Sequence, residues 1–381
     1  MPGALPIVLL AVVTQASTAT TSNAKSTVSA RFTSGAEWDT NAQRAVREGE
    51  MPINEFGELV EVGDGLARVT ADVSGRIVSS RGLSAYLGYQ LGAKRFTRER
   101  GQDFFTHQFF GQGAWRIAPL TFGVAGSFRL SRIRSGLRDY NIGSGNAFVR
   151  LEVLDNLFVG ASGTFTGYRF LFDDHFDYRG PSAGLDLQFT PLSRLVLFAN
   201  ANHHWRNYDR NGLTPTTIGD IPPFPSFCDG RNSPAAGYSC VPEVRRDTEI
   251  DVSFGARWVS TFQVGAAYRL RAQRSTSDYE NTDRHRITVD TTFEIVDDLT
   301  ATILAVLQFN NQTAITDTLQ QAEDDENRNN LSLALRYALS ESVAIDLRYA
   351  LYVQQFSTND ASYLRQLLFL GLGYRTGLFE L

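Results

Sequence analysis

The sequence predicts an all-β fold: a single closed antiparallel transmembrane β-barrel of about sixteen strands (about 14–18), with short periplasmic turns and long extracellular loops. Three observations carry that prediction. Tight polar turns recur about every 37 residues, near Ser79-Ser80, Ala118-Pro119, Asp155-Asn156, Pro191-Leu192, Ser260-Thr261, Asp297-Asp298 and Glu341. Between successive turns lie two long segments in which apolar and polar residues alternate with period two. The joints between those two segments are longer and more polar than the turns, as a sheet standing across a membrane requires.

Bulk composition agrees. The 381 residues carry a net charge of −5 and a mean hydropathy of −0.20. No composition break or low-complexity tract divides them, so one domain is expected. Outside the N-terminus there is no apolar run of about 18 residues that would make a membrane helix. Barrel strands need none, because only every second residue meets lipid. Gly 32, Phe 26 and Tyr 14 against Met 2 suit strands that pack obliquely and anchor at interfaces.

The strands follow in order. Expected spans are 28–38, 65–78, 83–95, 103–117, 120–131, 140–153, 157–170, 177–190, 194–208, 247–259, 262–274, 281–296, 299–311, 327–339, 343–356 and 362–378. In the second, Ala67, Val69, Ala71, Val73 and Ile77 oppose Arg68, Thr70, Asp72, Ser74 and Arg76. In the third, Leu83, Ala85, Leu87, Tyr89 and Leu91 oppose Ser84, Gly88, Gln90 and Lys94. In 247–259, Ile250, Val252, Phe254, Ala256 and Trp258 oppose Glu249, Asp251, Ser253 and Arg257. The same split recurs at Val264–Gln273, His285–Ile295, Leu331–Leu339 and Val343–Val353, while 140–153 and 157–170 alternate poorly. Most spans exceed the roughly 9–11 residues needed to cross, so strands should project beyond the membrane. The largest loops are 39–64 and 209–246.

Ahead of the barrel, Ala4 to Val13 form an apolar run followed by Ala16, Ser17, Thr18 and Ala19, although no Lys or Arg precedes Lys25. Residues 1–19 are therefore expected to be a signal peptide, with 20–381 the barrel, routed through the periplasm to the outer membrane of a Gram-negative cell. Cys228 and Cys240 fall in one Pro-rich loop, which fits an oxidising compartment and a local disulfide.

About sixteen strands enclose too wide a space for a dry core, so the polar face should be wet and the apolar face should meet lipid. Aromatics of the apolar face gather at strand ends: Trp115, Phe189, Trp258 and Phe293 near the turns, Phe128, Trp205 and Phe309 near the loops. On the polar face, cations outnumber acids. Arg68, Arg76, Lys94, Arg129, Arg257, Arg269, Arg271, Arg286, Arg336 and Arg348 are the candidate lumen-lining transport residues. Guanidinium forks suit carboxylate, phosphate and sugar hydroxyls. For any single residue the plainer role is a cross-strand ion pair that keeps the lumen hydrated.

Other chemistry finds less support. His107, His203 and His285 share the lipid-facing parity, where an outer-membrane lipase would place its histidine. No G-x-S-x-G motif or clearly paired serine accompanies them. The acidic clusters Asp173-Asp174-Asp177 and Glu323 to Glu326 lack EF-hand spacing, and no cofactor or metal is expected. The acidic loops disfavour nucleic acid.

The run Ser34-Gly35-Ala36-Glu37-Trp38-Asp39-Thr40-Asn41-Ala42-Gln43-Arg44 resembles a recurrent opening of bacterial outer-membrane barrels, porin-like in build and associated with exopolysaccharide secretion or surface-protein assembly. Such barrels usually close on a C-terminal aromatic read by the barrel assembly machinery. This chain ends Leu378-Phe379-Glu380-Leu381, with Phe379 or Leu381 in that place. The Arg-rich lumen points to a non-enzymatic channel for hydrophilic solutes, and the resemblance suggests surface polysaccharide in particular. Outer-membrane lipid and lipopolysaccharide are the expected surroundings, with periplasmic export or scaffold proteins as further expected partners. A structural barrel anchoring an envelope-spanning motility or secretion complex, and a lipid-modifying enzyme, stay open beside it.

Overall fold

A computed structural model describes residues 27–42, 46–48, 51–53, 63–78, 82–136, 139–171, 177–215, 238–276, 281–312, 329–355 and 361–380. The strands are β1 (Thr27–Asp39), β2 (Val46–Glu48), β3 (Met51–Ile53), β4 (Asp64–Val78), β5 (Leu83–Phe96), β6 (Phe104–Ile117), β7 (Leu120–Ile133), β8 (Tyr140–Leu154) and β9 (Leu157–Phe170). They continue as β10 (Tyr178–Leu192), β11 (Leu195–Pro215), β12 (Tyr238–Val259), β13 (Phe262–Ser275), β14 (Thr282–Val296), β15 (Leu299–Gln312), β16 (Asn329–Ala338), β17 (Val343–Gln355) and β18 (Ala361–Glu380). Sixteen of them, all but the short β2 and β3, form one closed antiparallel barrel. Each long strand pairs with its neighbours in sequence, and β18 returns to β1 from Thr27↔Glu380 to Asp39↔Leu367.

β-branched and aromatic residues on a period of two make these segments strands, and closure removes every long edge. At the short-turn end, neighbouring hairpins are tied by backbone bonds: Arg116 N–H donates to Gly82 O (3.0 Å), Glu152 N–H to Pro119 O (2.9 Å) and Arg375 N–H to Ser342 O (2.8 Å). Strand crossing is tight where glycine allows it. A Cβ on Gly180 would fall on the Trp205 carbonyl oxygen, and one on Gly35 would fall on that of Leu370 at the seam.

The two faces differ as the alternation requires. Leu87 (66 % exposed), Val124 (63 %), Leu185 (63 %) and Phe309 (62 %) stand outward. On the other parity Glu249, Asp251, Asp346 and Arg365 are buried against the inner wall. An apolar exterior of this extent has no place in water and fits a hydrocarbon layer.

Three expectations need amending. The expected loop 209–246 is shorter, because β11 continues to Pro215 and β12 begins at Tyr238, paired through Leu213↔Cys240 and Thr214↔Ser239. The prolines and glycines of this stretch hide its alternation, while the hairpin itself carries the ladder beyond the barrel. The expected loop 39–64 contains the small β2–β3 hairpin, which joins the start of β18 through Ala361↔Glu48 and Ser362↔Arg47. Aromatics, assigned at the outset to the lipid face, also line the interior. The expected signal peptide, Cys228 and with it the Cys228–Cys240 disulfide, Asp173, Asp174 and Glu323 to Glu326 lie outside the described residues.

Candidate functional site: the barrel lumen

All ten predicted lumen cations occupy the parity opposite the exposed apolar residues, and all but Arg129 of β7 fall into two walls. The first lies at the seam, over β16, β17, β18, β1, β4 and β5. Asp346, buried, faces three guanidiniums: Arg336 at 3.4 Å, Arg348 at 3.7 Å and Arg31 at 4.0 Å. Among the described residues its Oδ2 accepts no hydrogen bond, so the arginines crowd one carboxylate without being saturated by it. Beside them Glu37 accepts from Arg68 (2.8 Å) and Lys94 (2.6 Å). The Phe369 ring lies beneath both Arg68 (5.8 Å) and Arg348 (5.4 Å). Five cations here meet the buried acids Glu37 and Asp346, while Arg365 of β18 takes up the buried Asp39. These arginines are a third to a half exposed, so their charge reaches the lumen.

The far wall, over β8 to β14, is closer to balance. Glu249 pairs with Arg206 (2.7 Å) and Arg271 (3.3 Å), and Asp251 accepts from Arg269 Nε at 2.7 Å. Arg150 meets Asp186 at 3.0 Å, and Arg257 stands 3.9 Å from Asp290. His204, Glu249 and Asp251 bring ligand-type atoms within 4.8 Å of one another. Arg206, Arg269 and Arg271 already occupy those carboxylates, so a cation would have to displace a guanidinium. The group suits a neutralised pair better than a metal site.

Parity counting of charges alone missed the aromatic lining. Tyr140, Tyr168, Tyr178 and Tyr208 run around the inner wall from β8 to β11 with successive centroids 5.5 Å apart. Arg129 caps one end over Tyr140 (5.9 Å). Arg206 lies over Tyr178 (5.2 Å) and Arg245 over Tyr208 (4.1 Å). Stacked rings and cations over their faces each stabilise the wall by about 0.5–1.5 kcal/mol. Elsewhere inward phenylalanines lie across glycines of the next strand, Phe110 on Gly88, Phe148 on Gly123 and Phe198 on Gly255. The signal for both was present: aromatics at the parity of the arginines.

The lipid-face histidines each join an aromatic residue. Tyr89 and His107 share a 2.7 Å hydrogen bond, as do Tyr268 and His285, and His203 stacks on Trp205 at 4.2 Å. In the first two a phenol, not a carboxylate, engages Nδ1, so no base–orienter pair of a hydrolase is assembled there. Arg76 and Arg286 lie on the inner parity of β4 and β14.

The opening motif has a structural use. Glu37 and Asp39 point inward, Trp38 is 53 % exposed on the lipid side, and Asp39 is bound by Arg365 of β18. Asn41 completes the joint, its N–H donating to Asp39 (2.9 Å) and its amide to Leu364 O (3.2 Å). Thr40 N–H donates to Gln366 O, and Gln366 N–H returns to Thr40 Oγ1. The motif thus fastens the first strand to the last.

No protein-family model matches this sequence, and neither does any curated relative. Solved structures do resemble it in shape. A bacterial polysaccharide outer-membrane secretin aligns over 92 % of this chain and 98 % of its own at 9 % identity and TM-score 0.45. OccD3 (OpdP) of Pseudomonas aeruginosa aligns over 93 % and 92 % at 9 % identity and TM-score 0.41. CdiB from Acinetobacter baumannii aligns over 91 % and 60 % at 9 % identity and TM-score 0.48. The fold itself is a closed antiparallel barrel of sixteen strands with an apolar exterior.

Proposed function

We propose that this barrel is a non-enzymatic outer-membrane channel whose lumen passes hydrophilic solutes and favours those bearing acidic groups, surface polysaccharide among them. The carrying observation is the seam wall, where Arg31, Arg336 and Arg348 converge on the single carboxylate of Asp346 while Arg68 and Lys94 share Glu37. Fixed cations in a low-dielectric, water-filled bore focus potential and raise the local concentration of anions. Sixteen strands leave room for an aqueous passage. The balanced far wall keeps the bore hydrated without trapping cargo. Exposed guanidiniums bind sugar hydroxyls and carboxylates singly and weakly enough to release them.

The opening motif no longer speaks for a particular cargo, because Glu37, Asp39, Thr40 and Asn41 are all engaged in ion pairs or hydrogen bonds at or beside the strand seam. Support for polysaccharide comes instead from the lining, which alternates guanidiniums with aromatic rings. Reconstitution in planar bilayers under a KCl gradient tests the reading. Conductance with a reversal potential on the chloride side is the expected result. A closed or cation-preferring barrel would refute it.

A further inference from the structure

The lipid-facing surface is electrically lopsided. Among the described residues, the outward positions of the short-turn half carry no Lys or Arg on any of the sixteen strands. Outward positions of the long-loop half carry Arg95, Arg132, Arg169, Arg179, Arg246 and Arg274. Chains that merely snorkel their cations toward water would do so at both interfaces. A cation confined to one interface answers something present at that interface alone.

Three of these arginines form a patch over β9 to β12. Arg179 sits directly across from Asn207, and Asn207 across from Arg246, so the three lie in one row over adjacent strands. At the usual strand spacing, Arg179 and Arg246 stand about 10 Å apart, a span two guanidinium arms close around one phosphate, with the Asn207 amide between. Arg169 lies on the neighbouring strand, two residues beyond Gly167, which faces Arg179. Arg169 and Arg246 are exposed and make no ion pair among the described residues, and Arg179 meets only the equally exposed Asp209 at 3.8 Å. Arg274, by contrast, is committed to Asp283 through bonds of 2.7 and 3.1 Å. Toward the barrel's middle the His203–Trp205 stack marks the layer where hydrocarbon gives way to headgroups.

We propose that Arg169, Arg179 and Arg246 form a binding site for the phosphate groups of the outer-leaflet lipid, fixing the barrel's depth and orientation in that leaflet. The inference rests on the membrane placement above. Its chemistry is bidentate guanidinium–phosphate contact at the headgroup level, just outside the aromatic layer.

The test titrates lipid A carrying both phosphates, and the same lipid A with its phosphates removed, into the detergent-solubilised full chain at low salt. The protein is compared with the triple variant Arg169→Gln, Arg179→Gln, Arg246→Gln. The wild type should prefer the phosphorylated lipid, and the triple variant should bind it roughly tenfold or more weakly. The dephosphorylated lipid should not distinguish the two proteins. Heat-modifiable mobility in gels reports whether the variant is folded. If it is not, the single exposed replacements Arg169→Gln and Arg246→Gln carry the same comparison. Equal binding of both lipids by the wild type, or unchanged binding by folded variants, overturns the site. A patch for an acidic soluble protein would give that second outcome. A barrel that fails to enter lipid vesicles at all would overturn the membrane reading instead, which separates the two failures.

Discussion

Asp39 at the end of β1 and Arg365 near the start of β18 form a forked ion pair, with Nη2 2.5 Å from Oδ2 and Nε 3.0 Å from Oδ1, and Asp39 is fully buried. They stand 326 residues apart, so their contact exists only once the barrel has closed. Removing Arg365 leaves the buried Asp39 without its cation, and removing Asp39 takes the forked carboxylate from a buried guanidinium, a loss of about 3–5 kcal/mol. Arg365→Leu or Asp39→Leu alone should therefore lower the thermal midpoint of the heat-modifiable band sharply. The double replacement should recover much of it. Additive losses in the double variant would show that the pair is not coupled.

Selectivity should track the seam wall. Arg336→Ser with Arg348→Ser removes two exposed lumen cations and leaves Arg31 facing Asp346 at 4.0 Å, so the acid is not orphaned. The anion-to-cation permeability ratio should fall by about twofold or more without loss of the fold. Asp346→Asn, which releases three guanidiniums, should raise it. A ratio unmoved by both contradicts the assignment of this wall to the conduction path.

Gly180 and Gly163 give a steric contrast on adjacent strands. A methyl group at Gly180 meets the backbone oxygen of Trp205, which cannot rotate away, whereas one at Gly163 meets nothing within 4 Å. Gly180→Ala should cost about 1–3 kcal/mol. Gly163→Ala should stay within about 0.5 kcal/mol. Urea unfolding of the two in micelles checks both.

In the tyrosine belt, the Tyr178 ring contacts Tyr168 on one side and Tyr208 on the other, but its hydroxyl is buried with no hydrogen-bond partner among the described residues. Tyr178→Phe should leave stability unchanged or raise it by up to about 1 kcal/mol, because an unsatisfied polar atom is removed. Tyr178→Ala breaks both ring contacts and opens a cavity, and should cost about 3 kcal/mol or more. A Phe variant as damaged as the Ala variant would mean that the hydroxyl holds the belt.

Much of the barrel was legible in the chain because lipid outside and water inside force a period of two on every crossing. Turn positions, strand spans and the inward parity of Arg68 or Arg269 follow from that constraint. Where the constraint weakens, so does the reading. β8 alternates poorly because Ile142 and Phe148 sit on its inner parity while Gly143, Gly145 and Ala147 take the lipid side. The extension of β11 and β12 stands clear of the membrane, so nothing imposes polarity on it. Pairings across the seam, such as Asp39 with Arg365, depend on closure and have no local signature. The split between a cation-rich wall and a balanced one likewise needs the register, since it turns on which arginine meets which acid.

The central claim is that adjacent residues of one strand face opposite solvents, and Ser253 and Phe254 on β12 test it most directly. In a background carrying Cys228→Ser and Cys240→Ser, Ser253→Cys and Phe254→Cys are each reconstituted in vesicles and exposed to a charged, water-soluble thiol reagent and to a lipid-dissolved one. The cysteine at 253 should react with the first reagent and that at 254 with the second. Reaction of both positions with the water-soluble reagent alone, or the reverse assignment, would contradict a wet interior within a lipid-facing shell.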